Sequence, residues 1–170
     1  MVFSSIEFLY MFLPIVLIVY FFSPKKIKNF VLLLASLIFY FFGETRFVML
    51  LIFAFIFNYY SGLYIEKNEG KKKKILLILN LVINFGLLFY FKYFNFFLDN
   101  INHLFNSSLS WSKIIMPIGI SFFTFQATSY VIDIYNGKIK SANNLFNFAT
   151  YLSLFPQLIA WPIVRYETIE

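Results

Sequence analysis

Four long apolar blocks, separated by short polar segments, constrain this chain more than any other feature of its sequence. An α-helix needs about 20 apolar residues to cross the roughly 30 Å hydrocarbon core of a bilayer. Hydrophobic residues make up 61% of the chain and charged residues only 13%, whereas soluble domains are about a quarter charged. The blocks therefore predict an all-α, polytopic transmembrane protein with about four clear spans, at residues 6–22, 27–42, 47–64 and 75–98.

The lysines lie between the apolar blocks and therefore predict the topology of the chain. Lysines 25, 26 and 28 follow the first block, and lysines 67 and 71–74 follow the third. Because loops rich in lysine and arginine stay in the cytoplasm, both loops are predicted to be cytoplasmic and the N-terminus extracytoplasmic. No basic stripe runs along one element, which argues against a nucleic-acid partner. For the run Lys71–Lys74, an ordinary membrane anchor and a lipid-specific or protein-binding role both stay open.

The chain becomes more polar after the fourth block. Residues 99–113 are predicted to form an extracytoplasmic polar loop with interfacial character, and Lys138 and Lys140 then return the chain to the cytoplasm. The last apolar block, at residues 145–159, is short and contains Pro156 and Gln157. One or two polar or broken helices are therefore predicted near the C-terminus, in addition to the four spans.

Five polar side chains in one otherwise apolar segment are the candidate site residues. Four of them follow an i, i+3, i+4, i+7 spacing, which places them on one helix face. They are Gln126, Ser129, Tyr130 and Asp133, and Ser121 precedes them. Such groups in a membrane mark packing seams, cavities or substrate paths, so interhelical hydrogen bonds and the wall of a reaction chamber are both open interpretations. No cysteine and no cluster with ligand spacing is present, so no metal site is predicted.

Two motifs in this region resemble a known family. The first is Met116–Gln126, followed by Ser129, Tyr130 and Asp133, and the second runs from Tyr151 to Ala160 and continues through Pro162–Tyr166. Together they resemble the membrane-bound O-acyltransferases of the bacterial alginate O-acetylation type. The sequence departs from the family at Trp161, where the family pattern has glycine, because an indole cannot supply the positive φ and close backbone approach of glycine.

The resemblance implies a bacterial inner-membrane enzyme that passes an acyl group to an extracytoplasmic polysaccharide such as alginate or another envelope polymer. It implies an acyl donor, acetyl-CoA or an acyl carrier, with no bound cofactor, and envelope acetylation proteins as partners. The chain is then expected to be one membrane domain and the N-terminal part of a longer enzyme. Residues 1–98 form its spans, 99–113 its outer loop and 114–170 its family-signature segment.

No catalytic residue of this chain is assigned, because the only histidine, His103, lies outside both motifs. The family's catalytic histidine is expected beyond Glu170. Arg165 follows the last apolar block and can contact the phosphate of the donor, since guanidinium offers a fork of donors to phosphate; an interfacial anchor is the other interpretation. A transporter or flippase-like protein, and an inactive truncated membrane scaffold, are the alternative functions.

Overall fold

The computed structural model describes residues 5–105, 112–159 and 165–169, and these residues form helices connected by turns and short loops, without a strand. A π-helical turn at Phe8–Phe12 leads into the first α-helix. The α-helices are α1 (Leu13–Phe22), α2 (Lys28–Glu44), α3 (Val48–Lys67), α4 (Gly70–Leu88), α5 (Phe94–Phe105), α6 (Ile120–Tyr135), α7 (Leu145–Ser153), α8 (Phe155–Ile159) and α9 (Tyr166–Ile169). The all-α class predicted from the sequence is confirmed for the described residues.

Two continuous helical stretches, Lys28–Lys67 and Gly70–Phe105, are long and apolar enough to cross a membrane, while Phe8–Phe22 is shorter. The first stretch contains a break, because Glu44 leaves helical geometry at φ −146° and a 3-10 turn follows at Thr45–Phe47. The second contains a π-helical turn at Phe89–Tyr93. The number of four separate spans therefore stays a prediction.

One end of the bundle, which we call the lysine end, brings together the loops that the sequence places in the cytoplasm. Asn29 Nδ2, at the start of α2, donates to Asn147 Oδ1 at 2.9 Å. Near the end of α3, the Glu66 carboxylate accepts hydrogen bonds from both the backbone N–H and the hydroxyl of Ser141. Lys73 Nζ lies 5.3 Å from the centre of the Tyr135 ring, at the end of α6.

The opposite end joins the other termini of the same helices. The Tyr40 hydroxyl, late in α2, donates to Ile118 O at 3.1 Å, just before α6 begins. The rings of Phe47 and Phe91, at the start of α3 and beyond the end of α4, are 5.7 Å apart. Helices α2, α3 and α4 therefore alternate in direction, as the short loops predict, and α6 runs in the direction of α3.

One segment differs from the sequence-based boundaries, while the last apolar block is broken as the sequence predicts. Residues 99–105, which the sequence assigns to the outer loop, belong to the helix α5, whose large apolar side chains are spaced so that one helix face can be apolar and the other polar. Asn95 holds this helix in place, since its side chain both donates to Ile114 O and accepts from Ile114 N. The last apolar block is broken at Leu154, whose ψ of 116° separates α7 from α8 just before Pro156.

Candidate functional site

Helix α6 carries all five candidate residues, and a glycine at its start fixes where it begins. Gly119 has φ 76° and ψ 1°, a left-handed conformation that glycine adopts without steric cost. The helix begins at Ile120, whose N–H donates to Pro117 O at 3.4 Å. The buried side of α6 packs mainly against α3 and α4, and also against α7 and α8.

Gln126 and Gln157, which we call the glutamine pair, meet inside the protein between α6 and α8. Gln126 Nε2 donates to Gln157 Oε1 at 3.1 Å, and the two residues are only 1% and 8% exposed. The other oxygen of the pair, Gln126 Oε1, is buried and accepts no hydrogen bond from any described residue. A buried acceptor without a donor is costly, so this atom marks a position where a donor is expected.

Tyr130 is fully buried and is held on three sides. Its hydroxyl accepts a hydrogen bond from the backbone N–H of Ala142 at 2.9 Å, and its ring centre lies 4.4 Å from that of Phe148. Gly62 of α3 packs against the same ring so closely that an added Cβ would lie 2.8 Å from Tyr130 Cε1. This side chain therefore locks α6 to α3 and α7.

The remaining three candidates have separate surroundings. Asp133 is buried, with Oδ1 3.7 Å from the ammonium of Lys138. The hydroxyl of Ser129 is buried and has no partner among the described residues, and the same is true of the hydroxyl of Thr128 at the preceding position. Ser121 lies at the opposite end, where its hydroxyl accepts a hydrogen bond from Lys92 Nζ at 3.3 Å. The residues predicted to share one helix face therefore contact different neighbours and do not form one compact cluster.

A cavity of about 440 Å³ opens between α2 and α7 near the lysine end. Its described lining combines amides and hydroxyls with apolar walls, and includes Asn29, Asn143, Asn147, Thr150, Tyr151 and Tyr166. None of the five candidates on α6 is among these residues. Tyr130 is one link between α6 and the cavity, because its ring centre lies 5.2 Å from that of Tyr166.

Tyr151 connects the cavity with the buried acid of α6. Burial raises the pKa of the Tyr151 hydroxyl above its usual range, and the carboxylate of Asp133 raises it further. This phenol therefore stays protonated at neutral pH and can donate a hydrogen bond. It is one of several polar groups in the cavity wall, together with the amides of Asn29, Asn143 and Asn147.

Arg165, His103 and Trp161, which were also singled out in the sequence, lie outside α6. Arg165 is exposed and directly precedes Tyr166, which lines the cavity. His103 is exposed near the end of α5. Trp161 and its neighbours Pro162–Val164 lie outside the described residues. Among the described residues, no three metal-ligating side chains come together.

The sequence-based reasoning missed a second buried polar cluster, which we call the asparagine triad: Asn58 of α3 with Asn80 and Asn84 of α4. Asn58 Oδ1 accepts from Asn80 Nδ2 at 2.9 Å and from Asn84 Nδ2 at 2.8 Å, and Asn58 Nδ2 donates to Asn84 Oδ1 at 3.2 Å. The spacing of four residues between Asn80 and Asn84 was the available signal. It also missed Gln157 as a partner of Gln126, because that contact joins residues far apart in the chain.

Proteins of similar sequence are named for acetyl transfer. A Pseudomonas aeruginosa protein named probable alginate O-acetylase AlgI is 39% identical over 99% of this chain and 34% of its own length. Its namesake from Azotobacter vinelandii is 38% identical over 99% of this chain and 35% of its own length. A Helicobacter pylori peptidoglycan O-acetyltransferase is 34% identical over 98% of this chain and 37% of its own length. The chain thus spans about a third of these curated relatives. No protein-family model and no solved structure matches it.

Proposed function

Because this chain is homologous over nearly its whole length to O-acetylases of the membrane-bound O-acyltransferase type, we propose that it acts in O-acetyl transfer to an extracytoplasmic polysaccharide. The observation that carries this proposal is that relatives named for two different polymers, alginate and peptidoglycan, are 39% and 34% identical to nearly the whole of this chain. The acceptor in this protein is then alginate or another polymer of the cell envelope, modified at its hydroxyl groups.

The chain inserts into the bacterial inner membrane as a multi-pass protein with its N-terminus outside. Its two long apolar stretches support membrane insertion, because only 33% and 17% of the residues in their most apolar windows are buried inside the protein. The 40 residues of Lys28–Lys67 would extend about 60 Å as one helix, twice the hydrocarbon thickness. The break at Glu44 divides this stretch into two antiparallel crossings, so that α1 to α4 supply four spans and the lysine end faces the cytoplasm.

The polar side of α6 contributes a wall of the reaction chamber, with Ser121, Gln126, Ser129, Tyr130 and Asp133 as its candidate residues. In acyl transfer the acceptor hydroxyl oxygen attacks the acyl carbon, the bond from that carbon to the donor breaks, and the hydroxyl proton passes to a general base. A fixed acceptor such as Gln126 Oε1 can orient the hydroxyl before this step. His103 is exposed and is not placed to act as the base.

The 440 Å³ cavity at the lysine end is the candidate entry for the acyl donor, acetyl-CoA or an acyl carrier. The amides in its wall can bind a neutral polar chain, and Arg165 lies beside Tyr166 where it can contact a phosphate. Envelope acetylation proteins would act as partners that receive or deliver the acetyl group.

Deleting the gene and returning it on a plasmid tests this function. We expect the acetyl ester content of the exported polysaccharide or peptidoglycan, measured after release with mild base, to fall on deletion and to recover with the complete protein. Ester content that does not change on deletion would contradict the proposal. Solute movement by the reconstituted protein without any ester formed would support a transporter instead.

A further inference from the structure

A groove of about 370 Å³ runs between α3 and α4 on the surface of the bundle. Its walls are almost entirely apolar, with Phe53, Ile56 and Phe57 from α3 and Leu76 and Leu79 from α4. Asn80 lies in its floor, but the amide nitrogen of this residue already donates to Asn58 in the asparagine triad. The groove therefore offers apolar contact along its length.

A second pocket of about 310 Å³ continues this groove toward the lysine end. The two share Tyr64 and Leu76, and the second is lined in addition by Asn68 and Lys72. No carboxylate within the described ranges forms an ion pair with the Lys72 ammonium. The result is one continuous crevice, apolar along α3 and α4 and positively charged where it opens.

We propose that this crevice binds one anionic glycerophospholipid, with its phosphate at Lys72 and Asn68 and an acyl chain along the groove. Basic pockets between membrane helices on the cytoplasmic side bind anionic head groups. The groove extends from Tyr64 to Phe53, which is about 16 Å of helix at 1.5 Å per residue. This length equals about half of the 30 Å hydrocarbon core, the depth of a single leaflet.

Charge also selects this lipid over other occupants of the groove. Lys72 lines the opening, and its neighbours in the sequence are mostly basic: Lys67, Lys71, Lys73 and Lys74, with only Glu66 and Glu69 among them. A second copy of the chain docked by the same face would bring two such lysine clusters together, and a zwitterionic lipid would add a positive choline or ethanolamine group. The proposal rests on the proposed membrane insertion but not on acetyl transfer.

Native mass spectrometry of the full-length protein tests the head-group contact. The protein is purified in mild detergent and mixed with equal amounts of phosphatidylglycerol and phosphatidylcholine, and the retained lipids are counted. We expect one retained phosphatidylglycerol, with retention about fivefold lower in Lys72→Gln, since one lysine near an anionic surface contributes about that factor. Lys71→Gln is the matched control, because it makes the same charge change at an exposed position that does not line the pocket.

A second pair of variants tests the groove itself. Leu79→Trp fills the groove and is expected to lower phosphatidylglycerol retention, whereas Val82→Trp, on the same helix at a residue that is 63% exposed and outside the groove, is not. Equal losses in Lys72→Gln and Lys71→Gln, equal retention of the two lipids, unchanged retention in Leu79→Trp, or a dimer in place of the lipid would each overturn the proposal. Ester content measured in the same strains reports on acetyl transfer separately.

Discussion

The asparagine triad and the glutamine pair are both buried amide clusters between helices, yet they differ in how completely they are bonded. Within the triad, every amide nitrogen donates and every amide oxygen accepts from another member. In the glutamine pair, one bond joins the two side chains and Gln126 Oε1 is left without a donor. Satisfied buried networks fix a fold, while an unsatisfied buried group calls for an explanation. The difference separates a fully bonded cluster, which joins α3 to α4, from a pair in which one buried acceptor has no donor among the described residues.

The largest effect is expected from breaking the triad. Asn58→Leu removes four hydrogen bonds, including one to Ala54 O, and leaves the amides of Asn80 and Asn84 buried with fewer partners. We expect the free energy of unfolding, measured by denaturation in mixed micelles, to fall by about 2–3 kcal/mol. Asn100→Leu is the control, because Asn100 is exposed and its amide bonds only within its own helix. Equal stability of the two variants would mean that the triad does not hold the helices.

The next largest loss of stability is expected at the contact between α3 and α6. A Cβ added by Gly62→Ala would lie 2.8 Å from Tyr130 Cε1 and 2.9 Å from Ile134 Cδ1, so α6 must move away from α3. We expect a loss of about 1–3 kcal/mol in the same assay. In Gly86→Ala the new Cβ meets no atom within 4 Å, so this helical control should keep or slightly raise stability. Matching losses at both glycines would contradict the packing described.

A smaller effect is expected at the hydroxyl of Tyr130. Tyr130→Phe leaves the buried N–H of Ala142 without its acceptor, which should cost about 1 kcal/mol of stability. Tyr60→Phe removes a hydroxyl from a half-exposed ring and serves as the comparison. Identical unfolding free energies for the two variants would show that the Tyr130 hydroxyl does not support the loop after α6.

The sequence predicts more of the fold than of the site, for physical reasons that particular residues illustrate. Helix class and direction follow from block length and lysine placement, and the break before Pro156 follows from the chemistry of proline. The sequence places the helical start at Gly70 and residues 99–105 in loops, because polar residues hide the fact that these helices extend past the apolar blocks. The sequence predicts that Gln126 faces inward. Its partner Gln157, 31 residues away, is set by how α8 packs against α6.

Gln126 distinguishes the glutamine pair from the asparagine triad most directly, because its replacement should affect function without affecting the fold. Gln126→Leu removes an unpaired buried acceptor but leaves Gln157 Oε1 without its donor. Because these two effects oppose each other, its unfolding free energy should stay within about 1 kcal/mol of the parent. Phe125→Leu, at the exposed neighbouring position, controls for general packing effects. Acetyl ester content in a deletion strain carrying each variant is the decisive measurement. We predict that Gln126→Leu loses most of the esters while Phe125→Leu keeps them, and full ester content with Gln126→Leu would contradict a chamber lined by α6.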